Sequence, residues 1–167
     1  GAILTNCPLL AKKINHLSKT AKTGETLIFS HDEIGYNYRM PNLNAALGYS
    51  QLEVLEERLL KKKDLLEKYK STLNHINQVS FVSPRDGSIS NNWLITIVLN
   101  LEDQSIVKRE RDELLKQAHK RNILLRPLWK PLHKLEIYKQ SPKGCLRNAD
   151  KFEYSIINLP SSPQLVK

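Results

Sequence analysis

Residues 34–47 read Ile34-Gly35-Tyr36-Asn37-Tyr38-Arg39-Met40-Pro41-Asn42-Leu43-Asn44-Ala45-Ala46-Leu47. Gly35 permits a backbone angle that residues carrying a Cβ resist. Pro41 suits a first helical turn, where its missing amide proton costs nothing. Asn37 and Arg39 therefore project from the segment just ahead of a helix. A helix start offers free amide protons and the positive end of the dipole, so anions settle there. An amide beside a guanidinium is a plausible phosphate grip. The simpler reading is a capped helix start with Tyr36 and Tyr38 packed as partial core, and chemistry alone favours it over the phosphate grip.

Downstream, the same segment opens the longest expected element, one helix from Pro41 or Asn42 to Leu73. Leu52, Leu55, Leu59, Leu66, Tyr69 and Leu73 fall on heptad a and d positions, with Lys62 as the polar intruder. A helix of ~30 residues is ~45 Å long, enough to link two parts of a molecule. Its stripe suits packing against a sheet better than a coiled-coil seam, because the repeat is short and interrupted. Upstream, Ala2–Thr5 reads as a buried strand end and residues 8–21 as a helix with Leu9, Leu10, Ile14 and Leu17 on one face. Asn6 is the expected cap of that helix. Gly24 breaks the chain, and residues 26–29 read as a short extended piece.

After the long helix the pattern changes to strands at residues 79–82 and 93–99, separated by the turn-rich run Ser83-Pro84-Arg85-Asp86-Gly87-Ser88. Residues 109–121 read as a helix with Leu114, Leu115 and Ala118 inward. A strand at 123–125 and a short helix at 149–157 complete a small α+β unit, its sheet covered by helices on one side.

A second chemical candidate is Arg126-Pro127-Leu128-Trp129-Lys130-Pro131-Leu132-His133. Two prolines stiffen an extended segment leaving a strand, while Arg126, Trp129, Lys130 and His133 supply charge and a ring. Such a loop could stack on a base or hexose and pair with a diphosphate. It could equally be a rigid surface connection with a half-buried Trp. No glycine-rich phosphate loop, paired metal histidines or Ser/His/Asp order stands out. The five histidines read as isolated, and no metal site is expected.

Two cysteines, Cys7 and Cys145, far apart and in no ligand spacing, read as free thiols in a reducing compartment. No apolar run approaches the ~20 residues of a membrane span, and the N-terminus lacks the pattern of a signal peptide. The chain reads as soluble, cytoplasmic and a fragment. A net charge of +9 invites a nucleic-acid reading. The basic residues are scattered, however, and many sit in helical ion-pair spacing, as Glu57 with Lys61 and Asp64 with Lys68. Attraction of a phosphorylated small molecule explains the charge as well, so neither nucleic acid nor membrane is the expected partner.

The run from Ile34 to Glu53 closely resembles the segment leading into the long helix of the DegT/DnrJ/EryC1/StrS sugar aminotransferases. Gly1-Ala2-Ile3-Leu4-Thr5-Asn6 resembles the strand after that family's glycine-rich turn. Residues 126–133 resemble the branch acting on nucleotide-linked 4-keto-6-deoxy sugars, including the LegC-like enzymes. Asn158-Leu159-Pro160-Ser161-Ser162 resembles their Leu-Pro segment.

The resemblance implies an α/β fold, the C-terminal part of the aspartate-aminotransferase-like architecture (fold type I of pyridoxal-phosphate enzymes). Residues 1–50 would be a remnant of the large cofactor-binding domain, and residues 51–167 the long helix and small α+β domain. It implies pyridoxal 5'-phosphate as cofactor, glutamate as amino donor, a nucleotide-linked keto-deoxysugar as acceptor and a homodimer with sites at the subunit interface. Such enzymes serve polysaccharide and deoxysugar synthesis. Asn37 would reach the cofactor phosphate of the other subunit, with Arg39 supporting the same region. Arg126, Trp129, Lys130 and His133 would face the nucleotide sugar. The family's Schiff-base lysine, its pyridinium-pairing carboxylate and most phosphate ligands match no residue here, so no catalytic residue is assigned. These 167 residues would then be the second half of an enzyme, unable to transaminate alone. A non-catalytic module binding nucleotide sugars or a partner chain is the alternative.

Overall fold

The computed structural model describes residues 1–24 and 29–166. Of the extended piece expected over residues 26–29, residues 26–28 lie outside that description. The chain divides into two compact units, Gly1–Glu53 and Val54–Lys167.

The first unit holds α1 (Pro8–Leu17) and α2 (Asn42–Glu53). Pro8 opens α1 as expected, but Cys7 rather than Asn6 occupies the cap position, without a side-chain cap bond. Ala2–Thr5 forms no strand, and Ile3 and Leu4 are exposed. Between the helices the chain doubles back on itself through isolated antiparallel bridges, Lys19 to Asn37 and Lys22 to His31. Thr20 and Ala21 turn through the left-handed region at φ 66° and 50°. Neither helix buries a residue, and Ala21 is the buried apolar residue of this unit among those described.

The second unit begins where the single long helix was expected to continue. Instead the helix breaks at Val54 (φ −111°, ψ 9°) and restarts as α3 (Leu55–Leu73). Four antiparallel strands follow: β1 (Val79–Phe81), β2 (Ile95–Leu99), β3 (Arg126–Pro127) and β4 (Ile156–Leu159), in the order β1-β2-β4-β3. Helix α4 (Gln104–Lys120) links β2 to β3, and α5 (Arg147–Ser155) runs directly into β4.

Period-2 alternation puts Ile95 and Ile97 of β2 on one sheet face, opposite Leu159 and Ile157 of β4. These four pack with Leu65 of α3, Ala118 of α4, Leu125 and Val166. Leu66, Tyr69 and Leu73 pack against that core from α3. The heptad stripe is thus a sheet-facing stripe only in its C-terminal half; Leu52, Leu55 and Leu59 are exposed. Asp103 caps α4 by accepting from the Ser105 amide at 2.7 Å. Val107, Arg111 and Ala118 form the buried stripe of α4, while Leu114, expected inward, is exposed.

Two boundaries differ more. The strand expected at 123–125 lies at Arg126–Pro127, with Leu125 buried just before it. The helix expected at 149–157 ends at Ser155, and residues 156–159 pair with both β2 and β3 as a central strand. A short apolar run such as Ile156-Ile157 satisfies either periodicity, and only its sheet partners settle which.

Candidate functional site

The Asn37 segment is extended and pinned by its own backbone. Tyr36 donates its amide to the Leu17 carbonyl at 2.7 Å, Thr20 donates to the Tyr36 carbonyl at 2.9 Å, and Tyr38 donates to the Ser18 carbonyl at 3.0 Å. Tyr36 and Tyr38, two residues apart, share a side of the segment and stack with centroids 5.1 Å apart and planes 3° from parallel. The rings are exposed rather than packed as core. Alternation gives Asn37 and Arg39 the other side, and both are exposed. No hydrogen bond or ion pair occupies either side chain among the described residues, so both are free for a ligand.

Gly35 serves a different purpose from the one expected. Its φ is not positive; Gly87, in the turn before β2, is the glycine at φ 78°. A Cβ at Gly35 would lie 2.3 Å from both the Ala21 amide nitrogen and the Thr20 carbonyl carbon. The glycine lets the Asn37 segment pass against the Thr20–Ala21 turn. Pro41 stands one residue before α2 and accepts from the Ala45 amide at 3.0 Å.

The 126–133 loop belongs to the second unit. Arg126 is fixed in β3 opposite Asn158 and is itself exposed. It lines a cavity with Lys62, Trp93 and Ser161. Trp129 is 66% exposed, not half-buried, and Lys130 is exposed as well. His133 lies in a tight turn (Leu132–Lys134) and lines a different cavity from Arg126, an apolar one with Pro131, Tyr138 and Leu146. Its Nε2 donates to Asp150 at 2.9 Å on α5, where Lys134 also bonds at 2.8 Å. Those two donors hold the Asp150 carboxyl below its ordinary value, the Lys134 hydrogen bond contributing most and that of His133 next.

Two features were hidden in the sequence. Lys62, read as an intruder in an apolar stripe, donates to the carbonyls of Ser161 at 2.5 Å and Trp93 at 3.3 Å. His16, read as isolated, meets Asp32 at 2.6 Å and Glu33 at 3.5 Å, with Lys13 also on Glu33. These three could hold a metal ion by geometry. Lys13 and His16 already engage the two carboxylates, so the cluster reads as a hydrogen-bonded polar network. No spacing rule joins positions 16 and 32, because a loop brings them together.

The architecture matches solved structures of longer chains. Helicobacter pylori PseC, an aminotransferase involved in the biosynthesis of pseudoaminic acid, superposes with TM-score 0.82 at 24% identity, covering 96% of this chain and 43% of PseC. The TlmJ aminotransferase of Streptoalloteichus hindustanus gives 0.81 at 20% identity, over 97% of this chain and 42% of its own. These likenesses establish the fold: the C-terminal part of that α/β architecture.

The chain belongs to the DegT/DnrJ/EryC1/StrS aminotransferase family, whose model matches residues 1–167. It is 37% identical over 135 residues to EpsN of Bacillus subtilis, named as a pyridoxal phosphate-dependent aminotransferase; the match covers 80% of this chain and 32% of EpsN. It is 30% identical over 166 residues to the GDP-perosamine synthase of Vibrio cholerae, covering 99% of this chain and 44% of that enzyme. The chain therefore spans less than half the length of these relatives. Among the described residues, no helix is long and apolar enough to cross a membrane.

Proposed function

We propose that this chain is the C-terminal portion of a pyridoxal-phosphate-dependent aminotransferase that moves an amino group from glutamate to a nucleotide-linked keto-deoxysugar. The observation that carries the reading is the family match over every residue, joined to relatives named as synthases and transaminases of nucleotide sugars. Those names favour an enzyme over a non-catalytic module. Because the chain spans 44% of the Vibrio cholerae relative, the reaction is assigned to the longer protein, and the chain alone is not expected to transaminate.

Asn37 and Arg39 fit the phosphate end of the cofactor. They share one side of an extended, backbone-pinned segment, and no other group occupies them among the described residues. A side-chain amide and a guanidinium held there bind and orient a phosphate through charge-assisted bonds. When bound, pyridoxal phosphate supplies the electron sink for the amino transfer. In our reading Asn37 serves the site of the second subunit of a homodimer. The exposed apolar side chains of α1 and α2, such as Leu9, Leu43, Leu47 and Tyr49, suit surfaces that other parts of such a dimer cover.

Arg126, Trp129 and Lys130, all exposed at the end of β3, would meet the nucleotide sugar. His133 would act there only indirectly, since its ring is engaged by Asp150. Residues 1–50 belong to the large domain in this reading, and residues 51–167 to the small one. The exposed, unpaired thiols of Cys7 and Cys145 suit a reducing compartment, and we place the enzyme in the cytoplasm, serving polysaccharide synthesis.

The test uses the full-length protein with pyridoxal phosphate, glutamate and a set of nucleotide-linked 4-keto-6-deoxy sugars. Amino-sugar formation matched by 2-oxoglutarate release is the expected result. Failure to transfer to every keto sugar would sink the proposal.

A further inference from the structure

A cavity of about 360 Å³ opens where β4 leaves the sheet through Pro160 and Ser161. Its wall carries two cationic side chains, Lys62 and Arg126, one indole, Trp93, and no carboxylate. The Lys62 ammonium is held by the carbonyls of Ser161 and Trp93, which orient it but leave its charge uncompensated. Burial pushes Lys62 down from its ordinary value, as expected of a charge without an anion beside it. The Arg126 guanidinium is spent on no ion pair among the described residues, while its backbone is fixed by pairing with Asn158.

Trp93 is held with its ring outward, 69% exposed. Its amide donates to the Asn91 side chain at 3.0 Å, the Asn92 amide donates to Ser90 Oγ at 3.0 Å, and Asn92 itself sits at φ 49°. An exposed indole thus stands beside two cations with no carboxylate in the cavity wall. Cations recognise phosphates, and an indole face stacks on any planar base. The volume falls within the roughly 300–1,000 Å³ of small-molecule sites.

We propose that this cavity binds the nucleotide end of the substrate, with the diphosphate between Lys62 and Arg126 and the base against Trp93. The inference rests on the nucleotide-sugar reading above and assigns which end of that substrate this cavity takes. Lys62 then has two tasks: its bonds to the two carbonyls shape the wall, and its charge attracts the diphosphate.

Calorimetric titration of the cofactor-loaded, full-length protein with UDP, GDP and dTDP tests the assignment. Arg126→Gln and Trp93→Ala alter exposed side chains and leave the core intact. Each should weaken nucleoside diphosphate binding about tenfold, the effect of roughly 1.4 kcal/mol. Lys62→Met should do the same, and Lys62→Arg should restore most of the affinity. Lys116→Met, on another cavity wall, should change nothing. Inorganic pyrophosphate, which has no base, should remain sensitive to Arg126→Gln and become indifferent to Trp93→Ala. Unchanged nucleotide affinity in both Arg126→Gln and Trp93→Ala overturns the inference, as does displacement of the nucleotide by free pyridoxal phosphate. Amino transfer measured on the same samples separates the two claims. Transfer with unaltered affinities removes only the cavity assignment. Affinities lost in the variants, without transfer to any keto sugar, remove only the proposed reaction.

Discussion

Lys62 of α3 donates to the carbonyl of Ser161 at 2.5 Å, across 99 positions of chain. Two turns further along the helix, the Tyr69 hydroxyl donates to the Pro160 carbonyl at 3.1 Å. Ser161 Oγ accepts from the Ile95 amide at 2.8 Å, joining the same corner to β2. One helix face thus braces the point where β4 leaves the sheet, beside the cavity that Arg126 lines. The polar residue in the apolar stripe is a tether.

Replacing Lys62 with Met should lower the stability of the folded protein by about 1–3 kcal/mol, the cost of leaving partly buried acceptors unpaired. Lys62→Arg, which keeps donors near both carbonyls, should lose less. Urea unfolding of the full-length protein checks this, and equal stability of Met and wild type would exclude the tether.

Gly35→Ala should destabilise the Asn37 segment, because the new Cβ meets the Thr20–Ala21 peptide at 2.3 Å rather than a side chain that can swing away. Overpacking of this kind costs about 1–3 kcal/mol or more. Faster hydrogen exchange at the Thr20 amide, which bonds to the Tyr36 carbonyl, is the local readout. Protection equal to wild type would show that the segment can shift to admit the methyl.

Asp150 sets a pH dependence. Its carboxyl is held below the ordinary 3.8, first by the Lys134 hydrogen bond and then by that of His133. A carboxyl with a depressed folded pKa adds stability that is fully present above the unfolded value and fades as pH falls through the folded one. The contacts from Lys134 and His133 should therefore be intact above about pH 4 and weaken in more acidic solution. Carboxyl NMR should place the Asp150 midpoint below 3.8 and return it toward that value in Lys134→Met. An unmoved midpoint would contradict the assignment.

Asn37→Ala in the full-length protein should release cofactor about tenfold more readily, as expected for loss of one hydrogen bond to a charged group. Visible absorbance retained after gel filtration measures it. Retention equal to wild type refutes a phosphate role for Asn37.

Much of the second unit was legible from local pattern. The apolar spacing of residues 66, 69 and 73 pointed to a sheet-facing helix, and the Gly87 turn separated β1 from β2. What local pattern could not supply was partnership. Ile156–Leu159 is a short apolar run next to a helix, and pairing with β2 on one side and β3 on the other makes it a strand. The helix break at Val54 carries no proline or glycine signal at that position. Family membership rested on the 34–53 motif and was readable before any coordinates, because a long run of specific residues survives without its surroundings. The freedom of Asn37 and Arg39, the engagement of His133 by Asp150 and the meeting of Lys62, Trp93 and Arg126 at one cavity are decided by tertiary structure. Each depends on groups far apart in the chain, and no local periodicity encodes which of them meet.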